Sequence, residues 1–223
     1  MVEDIVLGHA TVPDGVELRL LQHGSDFTIV LEDNELMSTD ANASEEALAV
    51  LTCEKLAAVK DPQLLIGGYG MGFTLRAALA HLSAEASITV AEIVPEILAW
   101  ARGPMKAITD GCLDDPRVQI VGEDVALLID SAWAAYDAIL LDVDNGPEGL
   151  TRQLNDGLYS VSGLRRSMLA LRPGGILAIW SAFPDPSFTE RLRRVGYDVS
   201  ETEVRAKADN QGCHHLIWFA RKP

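Results

Sequence analysis

Four glycines stand between a short apolar stretch and an amphipathic one, and this loop constrains the fold more than any other feature. The stretch "QLLIG" has the length and composition of a buried strand, and "GFTLRAALAHL" has helical periodicity. Gly67, Gly68, Gly70 and Gly72 lie between them. Glycine permits a tight turn and lets a ligand approach the backbone, where the first N–H groups of the helix are free. The loop therefore predicts a nucleotide-like ligand at the edge of an α/β sheet.

The rest of the chain repeats the same alternation of strand and helix. Further strands are predicted at "SITVAEI", "RVQIVGED", "YDAILLD" and "ILAIWSA", each followed by a helical pattern. Such alternation is typical of a parallel sheet with helices on both faces. The last two strand-like runs, "YDVSETEVRA" and "CHHLIWFARK", have no helix between them, which predicts an antiparallel hairpin at the end of the sheet. We expect seven strands, most of them parallel.

The first part of the chain has a different pattern. Two strand-like runs flank His23-Gly24-Ser25-Asp26 and predict a short β-hairpin. A helical pattern, "NASEEALAVLTCEKLAAV", follows it. We therefore divide the chain into an N-terminal hairpin region, residues 1–42, and an α/β domain, residues 43–223.

Charge and cysteine content narrow the class of ligand. Lys and Arg total 18 and Asp and Glu total 33, a formal charge of −15. This excess of acids disfavours nucleic acid and anionic membranes and favours a small neutral or cationic substrate. No apolar run reaches the roughly 18 residues of a membrane span. The unpaired spacing of Cys53, Cys112 and Cys213 argues against a disulfide framework or a metal site. We expect a reduced, cytoplasmic setting.

The glycine spacing and two acids bear on the class of cofactor. A dinucleotide fingerprint, G-x-G-x-x-G, would place its third glycine at Phe73, whereas the chain has G-x-G-x-G from Gly68 to Gly72. Glu92, followed by Ile93, ends the next strand, where an acid can accept hydrogen bonds from ribose hydroxyls. Asp124 ends the third strand and could bind an adenine amino group, cap the following helix, or do both.

Two further acids end the strand "YDAILLD". Asp142 is at the carboxyl end of a predicted central strand, the edge at which ligands bind in open α/β sheets. A carboxylate there can orient an amine nucleophile and take its proton. Asp144 lies two residues on and could share that side, or it could begin a turn with Gly146-Pro147. Asp142 and Asp144 are our candidate catalytic residues.

From about residue 60 to residue 182, the order of these motifs resembles the polyamine aminopropyltransferases, the spermidine synthase family. Its motifs correspond to "LLIGGYGMG", "ITVAEIVPEI", "DPRVQIVGED" and "YDAILLDVDNGP". The G-x-G-x-G loop and the terminal hairpin are also similar to the wider superfamily of class I S-adenosylmethionine-dependent methyltransferases. The resemblance implies a Rossmann-like fold, a small amine acceptor and a homodimer. It implies a sulfonium donor, S-adenosylmethionine or its decarboxylated form, with S-adenosylhomocysteine or methylthioadenosine as product.

The resemblance also implies roles for individual residues. The loop would bind the methionine-like part of the donor, and acids would bind its adenosine end. The cofactor-binding candidates are Gly67, Gly68, Tyr69, Gly70, Gly72, Glu92, Ile93 and Asp124. Asp142 matches the family aspartate that orients or deprotonates the amine. The family's D-S-S-D-P is here D-V-D-N-G-P, so its second aspartate falls on Asn145.

Two other functions fit the sequence less well. An NAD-dependent oxidoreductase would also need a glycine loop and an acid such as Glu92, although the loop spacing and the terminal hairpin disfavour it. A non-catalytic member of the fold that binds a nucleoside would keep the loop, but it would not require Asp142.

Overall fold

The computed structural model describes residues 4–143, 146–147, 156–209 and 211–223. The described residues form a small antiparallel sheet followed by a larger, mostly parallel sheet with helices on both faces. This is the predicted fold class, and it is confirmed. Among the helices described, none is long and apolar enough to cross a membrane.

The small sheet has four strands in the order β1-β2-β3-β4. They are β1 Ile5–Thr11, β2 Glu17–His23, β3 Asp26–Leu31 and β4 Asn34–Ser38. The predicted hairpin is the central pair, β2 and β3, and Gly24 turns it with a φ of +62°. Strands β1 and β4 extend it on either side. The division of the chain at residue 42 stays a prediction.

The large sheet has seven strands in the order β10-β11-β9-β8-β5-β6-β7. They are β5 Gln63–Gly67, β6 Ser87–Ala91, β7 Val118–Val121, β8 Tyr136–Leu141, β9 Leu171–Ser181, β10 Asp198–Arg205 and β11 His214–Arg221. Strands β5 to β9 pair in parallel, whereas β11 pairs antiparallel to β9 and β10 antiparallel to β11. The terminal hairpin is therefore where the sequence predicted it.

Helices cover both faces of this sheet. They are α1 Ala43–Lys55, α2 Phe73–His81, α3 Pro95–Arg102, α4 Lys106–Thr109, α5 Val125–Ser131, α6 Asp156–Tyr159, α7 Val161–Ala170 and α8 Pro186–Val195, with a 3₁₀ turn at Cys112–Asp114. The apolar side chains form two buried clusters, one on each face. The cluster that contains α1 and α2 also includes the inner face of the small sheet, so the two sheets share one core.

One predicted helix is divided in two. The pattern "LYSVSGLRRSMLAL" predicts a continuous helix, but Ser160 ends α6 and begins α7. Its backbone is extended and its hydroxyl accepts the Gly163 N–H at 3.0 Å, which is an N-cap and not an interior position. The pairing of β9 with β8 then shifts register between Tyr136 and Ala138.

Candidate active site

A cavity of about 180 Å³ lies at the carboxyl ends of β5, β6, β7 and β8, beneath the small sheet. One side is apolar and comes mainly from the small sheet and its connections: Val12, Leu18, Ile29, Leu31, Leu36 and Met37. The opposite side comes from the strand ends of the large sheet and includes Gly68, Gly70, Glu92, Ile93, Asp124 and Asp142. Six of the ten residues predicted from sequence to form the site therefore line one cavity.

The glycine loop approaches two other parts of the site closely. Gly68 has a φ of +84°, and a Cβ added there would stand 2.9 Å from the backbone oxygen of Asp142. Gly70 has a φ of +55°, and a Cβ there would stand 2.6 Å from Cε of Met37. Any larger residue would be strained in its backbone and would meet β4 or the end of β8. The loop is therefore held between the two sheets.

Glu92 joins the glycine loop to the end of β6. Its Oε2 accepts the Tyr69 N–H at 2.9 Å and its Oε1 accepts the Val94 N–H at 2.8 Å. Burial raises the pKa of this carboxyl, and the backbone N–H groups oppose the rise. The backbone N–H groups of Gly70 and Ile93 also act on this carboxyl, so hydroxyl groups of a ligand would share its lone-pair sites with the loop. Glu92 both shapes the loop and faces the cavity.

Asp124 caps α5 at the end of β7. Its Oδ1 accepts the Ala126 N–H at 2.8 Å, so the capping role weighed from the sequence is present. Asp124 also lines the cavity, which leaves the adenine-binding role open to it.

The remaining loop residues lie just behind the cavity wall. Gly67 ends β5, Gly72 precedes α2, and neither lines the cavity. The Tyr69 side chain is buried, with its hydroxyl 3.4 Å from Sγ of Cys112. These three residues support the loop through backbone and core contacts.

Asp142 lies directly after β8 and is partly exposed to the cavity. Its Oδ2 accepts a hydrogen bond of 2.8 Å from the Thr74 hydroxyl at the start of α2. Burial raises the pKa of Asp142 to about 6, and the Thr74 hydrogen bond opposes that rise. A carboxylate with such a pKa can accept a proton near neutral pH. The other catalytic candidate, Asp144, lies outside the described residues.

A second carboxyl in the cavity, Glu45, was not predicted as a site residue. It lies in the first turn of α1, is 6% exposed, and accepts the Ser44 hydroxyl at 2.6 Å. Burial, and next the negative charge of Asp142, raise the pKa of Glu45 to about 8. In the sequence, Glu45 lies near the start of a helical pattern and was given no role. The spacing of Glu45 with Leu48, Ala49 and Thr52 is the signal that places it on the buried face.

Trp180 forms another part of the wall that sequence reasoning could not assign. It is 9% exposed, lies next to the last residue of β9, and has its ring 4.8 Å from the His215 ring, centroid to centroid. Its indole nitrogen is buried and has no hydrogen-bond partner among the described residues. The signal in the sequence was ambiguous, because an aromatic residue at a strand end is as often core as pocket.

The cavity has a pronounced charge imbalance. Five carboxyl side chains line it, and none of the described lining residues is Lys, Arg or His; the acids are Glu45, Glu92, Glu123, Asp124 and Asp142. Acids on a low-dielectric wall favour a cationic ligand and disfavour an anionic one.

A parallel sheet with a terminal antiparallel hairpin, a G-x-G-x-G loop and acids at successive strand ends defines a Rossmann-like fold of the class I methyltransferase type. Comparison with known families narrows this class. The family described as "Spermine/spermidine synthase domain" matches residues 45–189. The chain belongs to the spermine/spermidine synthase family.

Curated relatives agree with this assignment. Polyamine aminopropyltransferase 2 of Pseudomonas aeruginosa is 29% identical over 157 residues, which cover 68% of this chain and 42% of the relative. Spermidine synthase 2 of Arabidopsis thaliana is 33% identical over 146 residues, covering 64% and 40%. The chain thus spans less than half the length of the curated relatives it matches.

Solved structures share the fold over almost the whole chain. A spermidine synthase in complex with the transition-state analogue AdoDATO gives a TM-score of 0.75 at 19% identity, covering 98% of this chain and 72% of that one. The spermidine synthase of Thermotoga maritima also gives 0.75, at 17% identity, covering 98% and 73%. The match includes the small N-terminal sheet, since 98% of the chain is covered.

Proposed function

We propose that this chain transfers an aminopropyl group from decarboxylated S-adenosylmethionine to a small amine, releasing methylthioadenosine. Family membership supports this reaction over the oxidoreductase that the sequence left as an alternative. Asp142 would orient the amine and accept its proton. Gly68, Gly70, Glu92, Ile93 and Asp124 would hold the donor.

The acidic lining of the cavity is the observation that carries the choice of donor. S-adenosylmethionine has an α-carboxylate, whereas its decarboxylated form has only the ammonium and the sulfonium. The described cavity wall offers five carboxyls and no cationic side chain to an anionic group. A carboxylate next to these acids would be repelled, and an ammonium would be attracted. The decarboxylated donor is therefore the better electrostatic match.

The chemistry requires alignment more than activation. The amine lone pair forms the new N–C bond while the C–S bond breaks, and the departing electron pair neutralises the sulfonium. The Asp142 carboxylate takes one proton from the substrate ammonium beforehand, which frees this lone pair, and the product leaves as an ammonium ion. Holding the two reactants in line can supply about 7–11 kcal/mol of the barrier. The apolar inner face of the small sheet covers the strand ends and keeps water from the reacting carbon.

Calorimetric titration with the two donors tests the choice between them. We expect decarboxylated S-adenosylmethionine to bind at least about tenfold more tightly than S-adenosylmethionine, because one repelled charge is worth about 1.4 kcal/mol or more. Equal or reversed affinities would contradict the electrostatic argument. Failure of both donors to bind would overturn the proposed function.

Replacing Asp142 by Asn tests the role of its carboxylate. The variant keeps the shape of the side chain and its hydrogen bond with Thr74, but it removes the proton acceptor. We expect turnover to fall at least about a hundredfold, while affinity for methylthioadenosine, which carries no ammonium group, stays within about twofold in the same kind of titration. Asp198→Asn, at an exposed carboxyl that begins β10, is the control and should leave both unchanged.

The same proposal includes three further points. The acceptor is a cationic amine, the protein forms a homodimer, and its location is cytoplasmic. The acidic wall supports a cationic amine such as a diamine. Light scattering during size-exclusion chromatography checks the dimer that the resemblance implies. A monomer at micromolar concentration would contradict the proposed dimer and would leave the proposed reaction unaffected.

A further inference from the structure

Glu45 has no role in the proposed reaction, yet it is placed as a functional group would be. A carboxyl that is 6% exposed is expensive to keep unless a cation or several donors satisfy it. Among the described side chains, the Ser44 hydroxyl donates to the Glu45 carboxyl. Its carboxyl also borders the cavity that contains Asp142. A structural acid would more usually pair with a cation in the core.

Thr74 brings the two acids into one arrangement. Its hydroxyl donates to Oδ2 of Asp142 at 2.8 Å and lies 3.4 Å from the backbone oxygen of Glu45. The start of α2 therefore fixes the first turn of α1 against the end of β8. The negative charge of Asp142 acts on Glu45 strongly enough to be, after burial, the main cause of its raised pKa. The pair has the electrostatics of two carboxyls that face one site.

We propose that Glu45 is a second acceptor-binding residue, which holds the ammonium group of the amine substrate together with Asp142. This inference rests on the proposed function, because it assumes that the cavity binds an amine beside Asp142. The cation binds between the two carboxyls and draws the proton off Glu45, which leaves to solvent. The amine is then positioned by two charges before Asp142 takes its proton.

The unpartnered indole nitrogen of Trp180 independently points to a polar ligand in this cavity. Trp180 lines the same cavity as Glu45 and is nine-tenths buried. A buried indole N–H without an acceptor loses a hydrogen bond unless water or a ligand supplies one. A polar substrate atom in the cavity would satisfy it.

The other charged groups around α1 do not compensate Glu45. Glu46, the next residue, forms an ion pair of 3.5 Å with Arg76 of α2, and its negative charge is a smaller cause of the raised pKa of Glu45. On the side of β10 and β11, Arg205 donates to the carbonyl of Gly212. On the same side, burial lowers the pKa of His215, which favours its neutral form. The remaining acids of the cavity, Glu92, Glu123 and Asp124, add only negative charge.

Glu45→Gln tests the inference, with Glu46→Gln as the matched control from the same helical turn. Decarboxylated S-adenosylmethionine is the donor and putrescine the probe amine. We expect the KM for putrescine to rise about ten- to a hundredfold in Glu45→Gln, the usual effect of losing a charge-assisted contact. Measured at pH 7 without amine, where Glu45 is protonated and carries no charge, donor affinity should stay within twofold of the wild type. The profile of kcat/KM against pH should lose its inflection near pH 8. Glu46→Gln should leave the putrescine KM and the donor affinity unchanged and should keep the inflection, moved slightly to lower pH because one neighbouring negative charge is lost.

Glu45→Asp separates binding from structure, because it keeps the charge on a shorter side chain. It should recover part of the putrescine KM. A KM and pH profile for Glu45→Gln equal to those of the wild type would overturn the inference while leaving the transferase activity intact. A wild-type protein that turns over neither donor would instead refute the proposed function.

A titration that needs no turnover tests the inference whether or not the protein is active with these donors. The carboxyl ¹³C signal of Glu45 is followed by NMR against pH in the wild-type chain with methylthioadenosine. We expect its pKa, near 8 without amine, to fall when putrescine is added, because a bound cation favours the ionised carboxyl. A midpoint unchanged by putrescine would overturn the inference.

Discussion

Glu45 links the candidate site to the pH dependence of stability. Its pKa is about 8 in the folded chain and near 4.5 when unfolded, so the folded state binds the extra proton between these values. Stability from this group is therefore lost as the pH rises from about 4.5 to about 8. A carboxyl that is buried beside another acid therefore lowers the free energy of unfolding at alkaline pH, where it must ionise.

Glu45→Gln should abolish this loss. We expect the variant to match the wild type at pH 5 and to exceed its free energy of unfolding by about 4 kcal/mol at pH 9, since about three pH units separate pH 5 from the folded pKa. Urea denaturation at both pH values measures the difference. Glu46→Gln, which removes an exposed carboxyl, should shift both values equally. Parallel curves for Glu45→Gln and the wild type would show that Glu45 ionises normally.

Gly68 is the loop position at which a side chain is least tolerable. Alanine there must adopt a φ of +84° and bring its Cβ within 2.9 Å of the backbone oxygen of Asp142. We expect Gly68→Ala to lower the free energy of unfolding by about 1–3 kcal/mol and to weaken donor binding. Chemical denaturation and calorimetry measure the two effects. Gly122→Ala, where a Cβ meets open space, is the control; equal effects at both positions would contradict the account.

At the scale of the elements, the start of α2 tunes the end of β8. Thr74 donates a hydrogen bond that favours the ionised form of Asp142. Thr74→Val should raise the pKa of Asp142, move the lower limb of the pH–rate profile to higher pH and reduce kcat/KM at pH 6 by about threefold to tenfold. Thr52→Val removes a hydroxyl that donates to its own helix, at Leu48, and should leave the profile in place. An unshifted pH–rate profile in Thr74→Val would show that the hydrogen bond from α2 does not affect the pKa of the catalytic carboxyl.

At the end of the large sheet that lies away from the cavity, another acid connects strands β5, β8 and β9. Asp137, near the start of β8, accepts the Gln63 N–H of β5 at 2.8 Å and Arg172 of β9 at 2.7 Å. Asp137→Ala should lower the free energy of unfolding by about 1–3 kcal/mol, because the part-buried N–H of Gln63 loses its acceptor and Arg172 loses its ion pair. Calorimetry should show unchanged donor affinity, since this end of the sheet is remote from the cavity. A large loss of donor affinity would mean that the two ends are coupled.

At the scale of the whole molecule, the sequence predicted the large sheet more completely than the site. The central parts of the strands of this sheet, such as "LLIG" in β5 and "AILL" in β8, are apolar throughout, because strands buried on both faces need no alternation, and short turns fix their ends. Strands β1 and β4 were not predicted. Both are exposed along much of their length, so burial imposes little pattern on them.

The site depends on contacts that no local pattern specifies. Asp142 and Glu92 could be predicted because the carboxyl ends of parallel strands meet at one edge. Glu45 and Met37 enter the cavity only because α1 and the small sheet pack over that edge. The Tyr69 and Val94 N–H groups donate hydrogen bonds to Glu92 only in the folded conformation of the loop, so no local pattern predicts these bonds either.

Ligand binding should stabilise the chain as a unit, because the cavity lies between its two sheets. Methylthioadenosine at about a hundred times its Kd should add about 2.7 kcal/mol to the free energy of unfolding. For a chain of this size, that raises Tm by about 5–10 °C. Differential scanning calorimetry should show the same rise in Asp142→Asn, where only the chemistry is removed. No shift at saturating ligand would contradict a nucleoside site in this cavity.

The central claim is that the acid-lined cavity transfers an aminopropyl group to an amine. Mass spectrometry of the products from the wild-type chain with decarboxylated S-adenosylmethionine and a panel of amines tests it most directly. We predict methylthioadenosine and an aminopropylated amine in equal amounts, with neither formed by Asp142→Asn. Binding of the donor without consumption, or methylated amine and S-adenosylhomocysteine formed from S-adenosylmethionine instead, would contradict the account.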